Sequence, residues 1–187
     1  DNPFGGGSGM VMRPDVIDNA LRSFYDKSHP LVYLSPRGRT FNQNLAKSFL
    51  KHDGISLVCG RYEGVDERVI KVWNMDEISM GDYIMSGGEP AAIALVDSII
   101  RLLPGAVGSS QSLSNESFEN GLLEYPLYTK PYDWNGLKVP DVLRSGNHKE
   151  IDSWKQLESE KITKSRRPDL WNASLNKLEC KEDHKNG

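Results

Sequence analysis

The chain lacks most of the features that classify a protein at a glance. It has two cysteines in 187 residues, Cys59 and Cys180, far apart and in neither a CxxC nor a zinc-ligand spacing. That excludes a disulfide framework and points to a reduced, cytoplasmic protein. Apolar runs of membrane-spanning length are missing, and so is a signal peptide. Excess positive charge is missing too. A formal net charge of −3 excludes the global signature of non-specific nucleic-acid binding and leaves only a local basic patch open. There is no G-x-x-x-x-G-K-S/T, and the glycines near the start do not form G-x-G-x-x-G after a strand. His29, His52, His148 and His184 do not form a metal spacing. No Cys or Ser stands in a recognisable nucleophile setting. An initiator methionine is also absent: the chain opens on Asp-Asn-Pro-Phe-Gly-Gly-Gly-Ser-Gly-Met. A glycine-rich loop normally connects packed elements, so an upstream segment is expected.

What is present is an alternation of short helices and strands. Positions 14–27 read as a helix with Val16, Ile17, Ala20, Leu21 and Phe24 on one face. Leu31 to Leu34 is an apolar strand, stopped by Ser35-Pro36-Arg37-Gly38. Positions 41–51 are helical, 55–59 form a strand stopped by Gly60, 66–73 are helical, and 77–79 form a short strand. Positions 89–103 make a helix that is apolar almost all the way round. Such a helix is expected to be buried on several sides, in a core or at a subunit interface. This order predicts an α/β domain with a largely parallel sheet. Polar, short-chained residues from 108 to 120 then read as a linker. A loop-rich stretch follows over 122–147, then a helix over 149–164 carrying Ile151, Trp154 and Leu157. A polar, frayed tail is expected over 172–187.

The chemistry is expected in three strand-end loops: 35–38, 60–64 and 80–88. Ligands of open α/β sheets sit beyond the carboxyl ends of the strands. Glycines there let the backbone approach a ligand. Together with Tyr62, Tyr83 and Glu63 they could hold a nucleoside through main-chain hydrogen bonds and apolar contact. Tight turns without a ligand are the alternative on composition alone.

Several motifs occur in one collinear order. They are the opening Asp1 to Met10; Tyr33-Leu34-Ser35-Pro36-Arg37-Gly38-Arg39; Cys59-Gly60-Arg61-Tyr62-Glu63-Gly64-Val65-Asp66-Glu67-Arg68; and Gly81-Asp82-Tyr83 with Ser86-Gly87-Gly88-Glu89. Gly121-Leu122-Leu123-Glu124-Tyr125-Pro126, Val139-Pro140, Ser145-Gly146-Asn147-His148 and Arg166-Arg167-Pro168 follow. In this order and spacing the chain resembles the TrmD-type tRNA (guanine-N1)-methyltransferases of the SPOUT superfamily, from Asp1 to about Trp171. Family members begin roughly fifty residues earlier by this resemblance.

The resemblance implies an α/β, SPOUT-type, mostly parallel sheet ending in a trefoil knot, with a small helical C-terminal domain. Its domains would be 1–107, knotted and binding S-adenosylmethionine; 108–116, a flexible linker; and 117–187, which helps hold tRNA. It implies a cytoplasmic homodimer with active sites at the subunit interface. It also implies methylation of N1 of guanosine 37, beside the anticodon, with S-adenosylhomocysteine as product. Tyr33, Leu34, Ser35, Pro36, Gly38, Gly60, Tyr62, Glu63, Met80, Gly81, Tyr83, Met85, Gly87 and Gly88 would line the cofactor pocket. Arg37 stands where the family often has Gln and would contribute its backbone. Glu116 stands at the family's catalytic Asp, before Ser117-Phe118, and Glu124 is a second candidate base. Arg101 matches the catalytic Arg. Gly5, Gly6 and Gly7 would approach the target guanine, and Arg166 and Arg167, in the densest basic run, would meet phosphates. The family's magnesium is an expectation with no dedicated ligand motif in this chain. Two alternatives stay open on sequence: a knotted methyltransferase for another RNA, and a non-catalytic RNA-binding module.

Overall fold

The computed structural model describes residues 1–106 and 116–183, with side chains to position 176. Packing divides the chain into two units, Asp1–Gly108 and Ser109–Gly187. The linker expected over 108–116 lies, up to position 115, outside the described residues.

The first unit is built on strand β1, Leu31–Thr40, flanked by β2, Ser56–Cys59, and β3, Asp76–Ser79. The order is β2-β1-β3, and both pairings are parallel. Strand β1 is apolar at successive positions because both its faces are covered. Val32 and Leu34 point into one core cluster with Leu45, Ala46, Phe49, Ile78, Ala91, Leu95 and Ile99. Leu31 and Tyr33 point into another with Ile17, Val65, Val69, Ile70 and Met75. The first cluster is roofed by α2, Gln43–Phe49, and α4, Glu89–Ile100; the second by α1, Pro14–Phe24, and α3, Glu67–Val72. The alternation of a strand's side chains thus assigns each helix pair to its face.

Local chemistry starts and stops these helices. Pro14 opens α1 with its φ already helical, and Asn42 caps α2 by accepting from the Leu45 N–H at 3.0 Å. Asp66 caps α3 through the Arg68 N–H at 2.9 Å. The helices expected at 14–27, 41–51 and 66–73 are each shorter, because these caps and turns consume the ends.

One expectation is corrected here. Strand β1 does not stop at Leu34. It leaves β3 after Leu34 pairs with Ile78, loops through residues 35–38, and rejoins so that Arg39 faces the same Ile78. The loop is a bulge inside a strand rather than its end. Gly38 lies where it crosses β3: an added Cβ would sit 2.3 Å from the Glu77 carbonyl carbon and 2.4 Å from the Ile78 nitrogen. Helix α4, expected to be buried in a core or at a subunit interface, has one side in the core of its unit and another side open. Ala91, Leu95 and Ile99 are buried, whereas Ile93 is 71% exposed, with Val96, Ile100 and Leu103 open along the same stripe.

In the second unit, a hairpin of β4, Asp133–Trp134, and β5, Leu137–Lys138, precedes a 3₁₀ turn, Asp141–Arg144. Helix α5, His148–Arg166, and helix α6, Pro168–Asp183, complete it. The tail expected to fray is therefore helical to Asp183, and positions 184–187 lie outside the described residues. Helix α5 buries Ser159 and Thr163 rather than Leu157, which is 49% exposed. Residues 123–128 run antiparallel along it. Leu123 meets Thr163 and Ser159, Tyr125 lies under Lys155, and Tyr128 packs on Trp154. Among the described residues no helix is long and apolar enough to cross a membrane.

Gly38→Ala forces a methyl group into the β3 backbone, which cannot swing aside as a side chain could. We expect a loss of about 1–3 kcal/mol in urea unfolding; an unchanged midpoint would show that β1 and β3 do not cross this closely.

Candidate functional site

The site follows from the topology. The bulge of β1 and the segments that follow β2 and β3 meet at one end of the sheet, and each forms one wall of a cavity of about 400 Å³ within the first unit. Leu34, Ser35, Pro36 and Arg37 come from the β1 bulge, residues 60–65 follow β2, and Ile78 to Gly81 with residues 83–88 follow β3. The strand order switches at β1, with β2 on one side and β3 on the other, which is where open α/β sheets hold ligands.

The walls are joined by main chain. The Gly88 N–H donates to the Gly60 carbonyl at 3.0 Å, stitching the second and third loops. An added Cβ at Gly88 would lie 2.8 Å from the Cys59 Cα and 3.0 Å from the Gly60 nitrogen, so only glycine lets these loops touch. Tyr33 forms the floor. It is 5% exposed, and its hydroxyl accepts from the Val65 N–H at 3.3 Å. Burial pushes that phenol's pKa up, with the Val65 hydrogen bond acting in the opposite sense. The Ser79 hydroxyl accepts from the Gly81 N–H at 3.2 Å, fixing the start of the third loop. The rim is apolar and uncovered: Tyr62, Tyr83, Ile84 and Met85 are exposed.

Charge is arranged around this frame. Arg37 donates to Glu67 at 2.9 Å and to Glu77 at 3.4 Å, tying the bulge to α3 and β3. The Arg37 hydrogen bond holds the Glu67 carboxyl below the ordinary range, against a weaker opposing effect of desolvation. Arg61 pairs with Glu89 at 2.8 Å across the second and third loops. Burial pushes the Cys59 thiol up, so it is a poor thiolate nucleophile. Among the described residues no three His, Cys, Asp or Glu cluster as a metal site.

Most residues expected at the cofactor pocket line this cavity: Tyr33, Leu34, Ser35, Pro36, Gly60, Tyr62, Glu63, Met80, Gly81, Tyr83, Met85, Gly87 and Gly88. Gly38 does not; it sits at the β1–β3 crossing. Arg37 also lines it, and its side chain is engaged as well as its backbone. Arg61, Gly64, Ile84 and Ser86 line it from within the expected loops 60–64 and 80–88, whereas Val11, Glu67 and Ala91 join from outside them. Arg61, Gly64, Glu67 and Ser86 lay inside the motifs. Val11 had no sequence signal, since it arrives through a parallel bridge of Met12 to Val65. Gly5, Gly6 and Gly7 form an exposed loop closed by the Val11 N–H on the Asp1 carbonyl at 2.8 Å.

The remaining expected residues lie elsewhere. Arg101 caps α4, its N–H on the Asp97 carbonyl at 3.2 Å, and is half-buried. Glu116 and Glu124 belong to the second unit, both half-buried. Arg166 is exposed at the end of α5, and Arg167 is held by Asp169 at 2.6 Å.

Comparison with known proteins adds a second line. The family model described as tRNA (Guanine-1)-methyltransferase TrmD matches residues 1–173. A tRNA (guanine-N(1)-)-methyltransferase of Rhodospirillum rubrum is 56% identical over 171 residues, covering 91% of this chain and 72% of the relative. Relatives of the same name from Ruegeria sp. (strain TM1040) and Brucella ovis are each 52% identical. They cover 92% of this chain, and 72% and 71% of their own lengths.

Because Arg37 depresses the Glu67 pKa, their pairing stabilises the fold above the ordinary carboxylate range and fades as pH falls through the lowered value. Arg37→Gln should therefore lower the melting temperature more at pH 7 than in acid, the difference shrinking as pH falls below the ordinary carboxylate range. Equal shifts at pH 7 and in acid would assign the effect to lost packing instead.

Proposed function

The chain belongs to the tRNA (guanine-1)-methyltransferase family, and from that membership we propose that it methylates N1 of a guanosine in tRNA. We assign the target to position 37, beside the anticodon, and the methyl donor to S-adenosylmethionine. The observation that carries this reading is the cavity at one end of the parallel sheet, walled by main-chain loops. Its volume of about 400 Å³ falls within the range for small-molecule sites, roughly 300–1,000 Å³. Its donor set suits the ligand: aromatic and apolar rim residues for a purine, loop amides and carbonyls for the purine's edge, and Glu63 and Arg61 for a charged amino-acid end. When bound, S-adenosylmethionine supplies a methyl group activated by its sulfonium and leaves as S-adenosylhomocysteine.

The protein's own task is the acceptor. N1 of guanine carries a proton at neutral pH and is a poor nucleophile until that proton leaves. We assign its removal to the carboxylate of Glu116, with Glu124 as the second candidate. Negative charge then builds on O6, and Arg101 is assigned to stabilise it or orient the base. The loop at Gly5, Gly6 and Gly7 is assigned to the approach of the target guanine. A base paired or stacked in RNA cannot enter such a pocket, so the guanosine must be unstacked. Arg166 and Arg167 are assigned to phosphates, which position RNA without reading sequence.

The remaining parts of the reading rest on family membership together with local features. A trefoil knot would be formed by the three loops around the cavity. A homodimer is favoured by the apolar stripe of Ile93, Val96 and Ile100 on α4, continued by Leu103 just beyond it, which a second copy of the chain would cover. The second unit would help hold tRNA. A cytoplasmic location follows from that substrate. Magnesium enters only as the family's ion.

The direct test is methyl transfer to unmodified tRNA, with a tRNA replaced at guanosine 37 assayed in parallel. Transfer to the first alone supports the reading; equal transfer to both refutes the position. Glu116→Gln should cut turnover to a small residual rate and leave S-adenosylmethionine binding intact, and near-normal turnover would remove Glu116 from its role. Replacing Arg166 and Arg167 by alanine should weaken tRNA binding and flatten its dependence on salt. Unchanged affinity across salt concentrations would move the phosphate contacts elsewhere.

A further inference from the structure

The second unit holds one of its loops in an unusual way. Residues 116–124 form a small closed turn. The Phe118 N–H donates to the Leu122 carbonyl at 2.8 Å, the Glu119 N–H to the Glu116 carbonyl at 3.3 Å, and the Glu124 N–H to the Ser117 hydroxyl at 2.9 Å. Phe118 has φ +76°, the left-handed region that a bulky L-residue avoids. Such strain persists only where the surroundings over-determine the backbone, and it gathers at functional sites.

The surroundings here are two hydroxyls one turn apart on α5. The Ser159 hydroxyl donates to the Leu123 carbonyl at 2.7 Å. The Leu123 N–H donates to the Thr163 hydroxyl at 2.8 Å, and that hydroxyl donates in turn to the Ser159 carbonyl at 2.7 Å. The three bonds make a closed circuit in which each hydroxyl hydrogen has one acceptor. Thr163 is fully buried and Ser159 is 9% exposed. Apolar side chains would fill these positions without any requirement for partners. Hydroxyls here leave a costly unpaired group whenever the loop moves, so they hold it in one register and height. The hold passes on directly: Leu123 precedes Glu124, whose N–H is bound by Ser117, the neighbour of Glu116.

We propose that Ser159 and Thr163 are positioning residues for methyl transfer: a hydroxyl clamp on Leu123 that fixes the turn carrying the carboxylate of Glu116. The inference rests on the assignment of Glu116 as the base. A carboxylate that must meet one proton of one base tolerates little displacement, and an error of about 1 Å can cost on the order of a hundredfold in rate. The clamp supplies that restraint from a helix, so the turn is held by directed bonds rather than by apolar contact.

Thr163→Val keeps the shape and deletes both bonds of the hydroxyl. In the full-length protein with unmodified tRNA we expect kcat to fall about ten- to a hundredfold, with the S-adenosylmethionine dissociation constant unchanged. Thr163→Ser should restore kcat to near the native value. In a Glu116→Gln background, Thr163→Val should lower the residual rate no further, because residues acting as a unit are not additive. A folded Thr163→Val protein with native kcat overturns the inference. So does an equal fractional loss in both backgrounds, which would make the clamp a general support of the unit. If Thr163→Val does not fold, Ser159→Ala is read by the same criteria. Near-normal turnover in Glu116→Gln overturns the assignment of the base itself; loss there with native kcat in Thr163→Val overturns the clamp alone.

Discussion

Strand β1 is the constraint on which the first unit depends. It is paired on both edges and packed on both faces, so nothing about it can change alone. Its alternating side chains assign α2 and α4 to one face and α1 and α3 to the other. Beside its bulge β2 ends opposite Leu34, and β3 ends opposite Thr40. The bulge at residues 35–38 is tolerated because β3 receives β1 again at the same Ile78, with Gly38 allowing the two backbones to cross. The cavity is what remains when three loops leave one sheet end and are stitched at Gly88 and Gly60.

Both units fix their loops by gripping backbone. In the first, glycines let loop touch loop, and amides and carbonyls form much of the wall. In the second, Ser159 and Thr163 grip both polar groups of one peptide residue. Directed bonds to main chain fix position more sharply than apolar contact, which is indifferent to small slides. Charges serve at the edges. Arg37 and Arg61 tie their loops to the first residues of α3 and α4 at exposed positions, where ion pairs add little stability but limit how far a loop strays.

Much of this was legible in the residues. The strand and helix order followed from apolar periodicity, and the strand-end loops followed from glycine placement. Misjudgements arose where local pattern and tertiary packing diverged. Leu31 to Leu34 reads as a complete strand because proline at 36 normally ends one, and only pairing with β3 carries it on to Thr40. Helix α4 reads as buried in a core or at a subunit interface, and its all-round apolarity does not say which side its own unit covers; packing puts Ala91, Leu95 and Ile99 there. On α5 the apolar residues Ile151, Trp154 and Leu157 drew attention. The positions most deeply buried are a serine and a threonine, which hydropathy marks as surface.

The sequence by itself determined the alternation of elements, the sites of close backbone approach and the family, because these are written in periodicity, glycine position and collinear motifs. Tertiary structure alone decided which loops share a wall, that Val11 joins them, that Gly38 serves a strand crossing, and that two hydroxyls hold the turn of Glu116. The physical reason is common to all four. A hydrogen bond or a steric limit between residues far apart in the chain leaves no periodic trace, since it depends on where the backbone passes rather than on what either residue prefers.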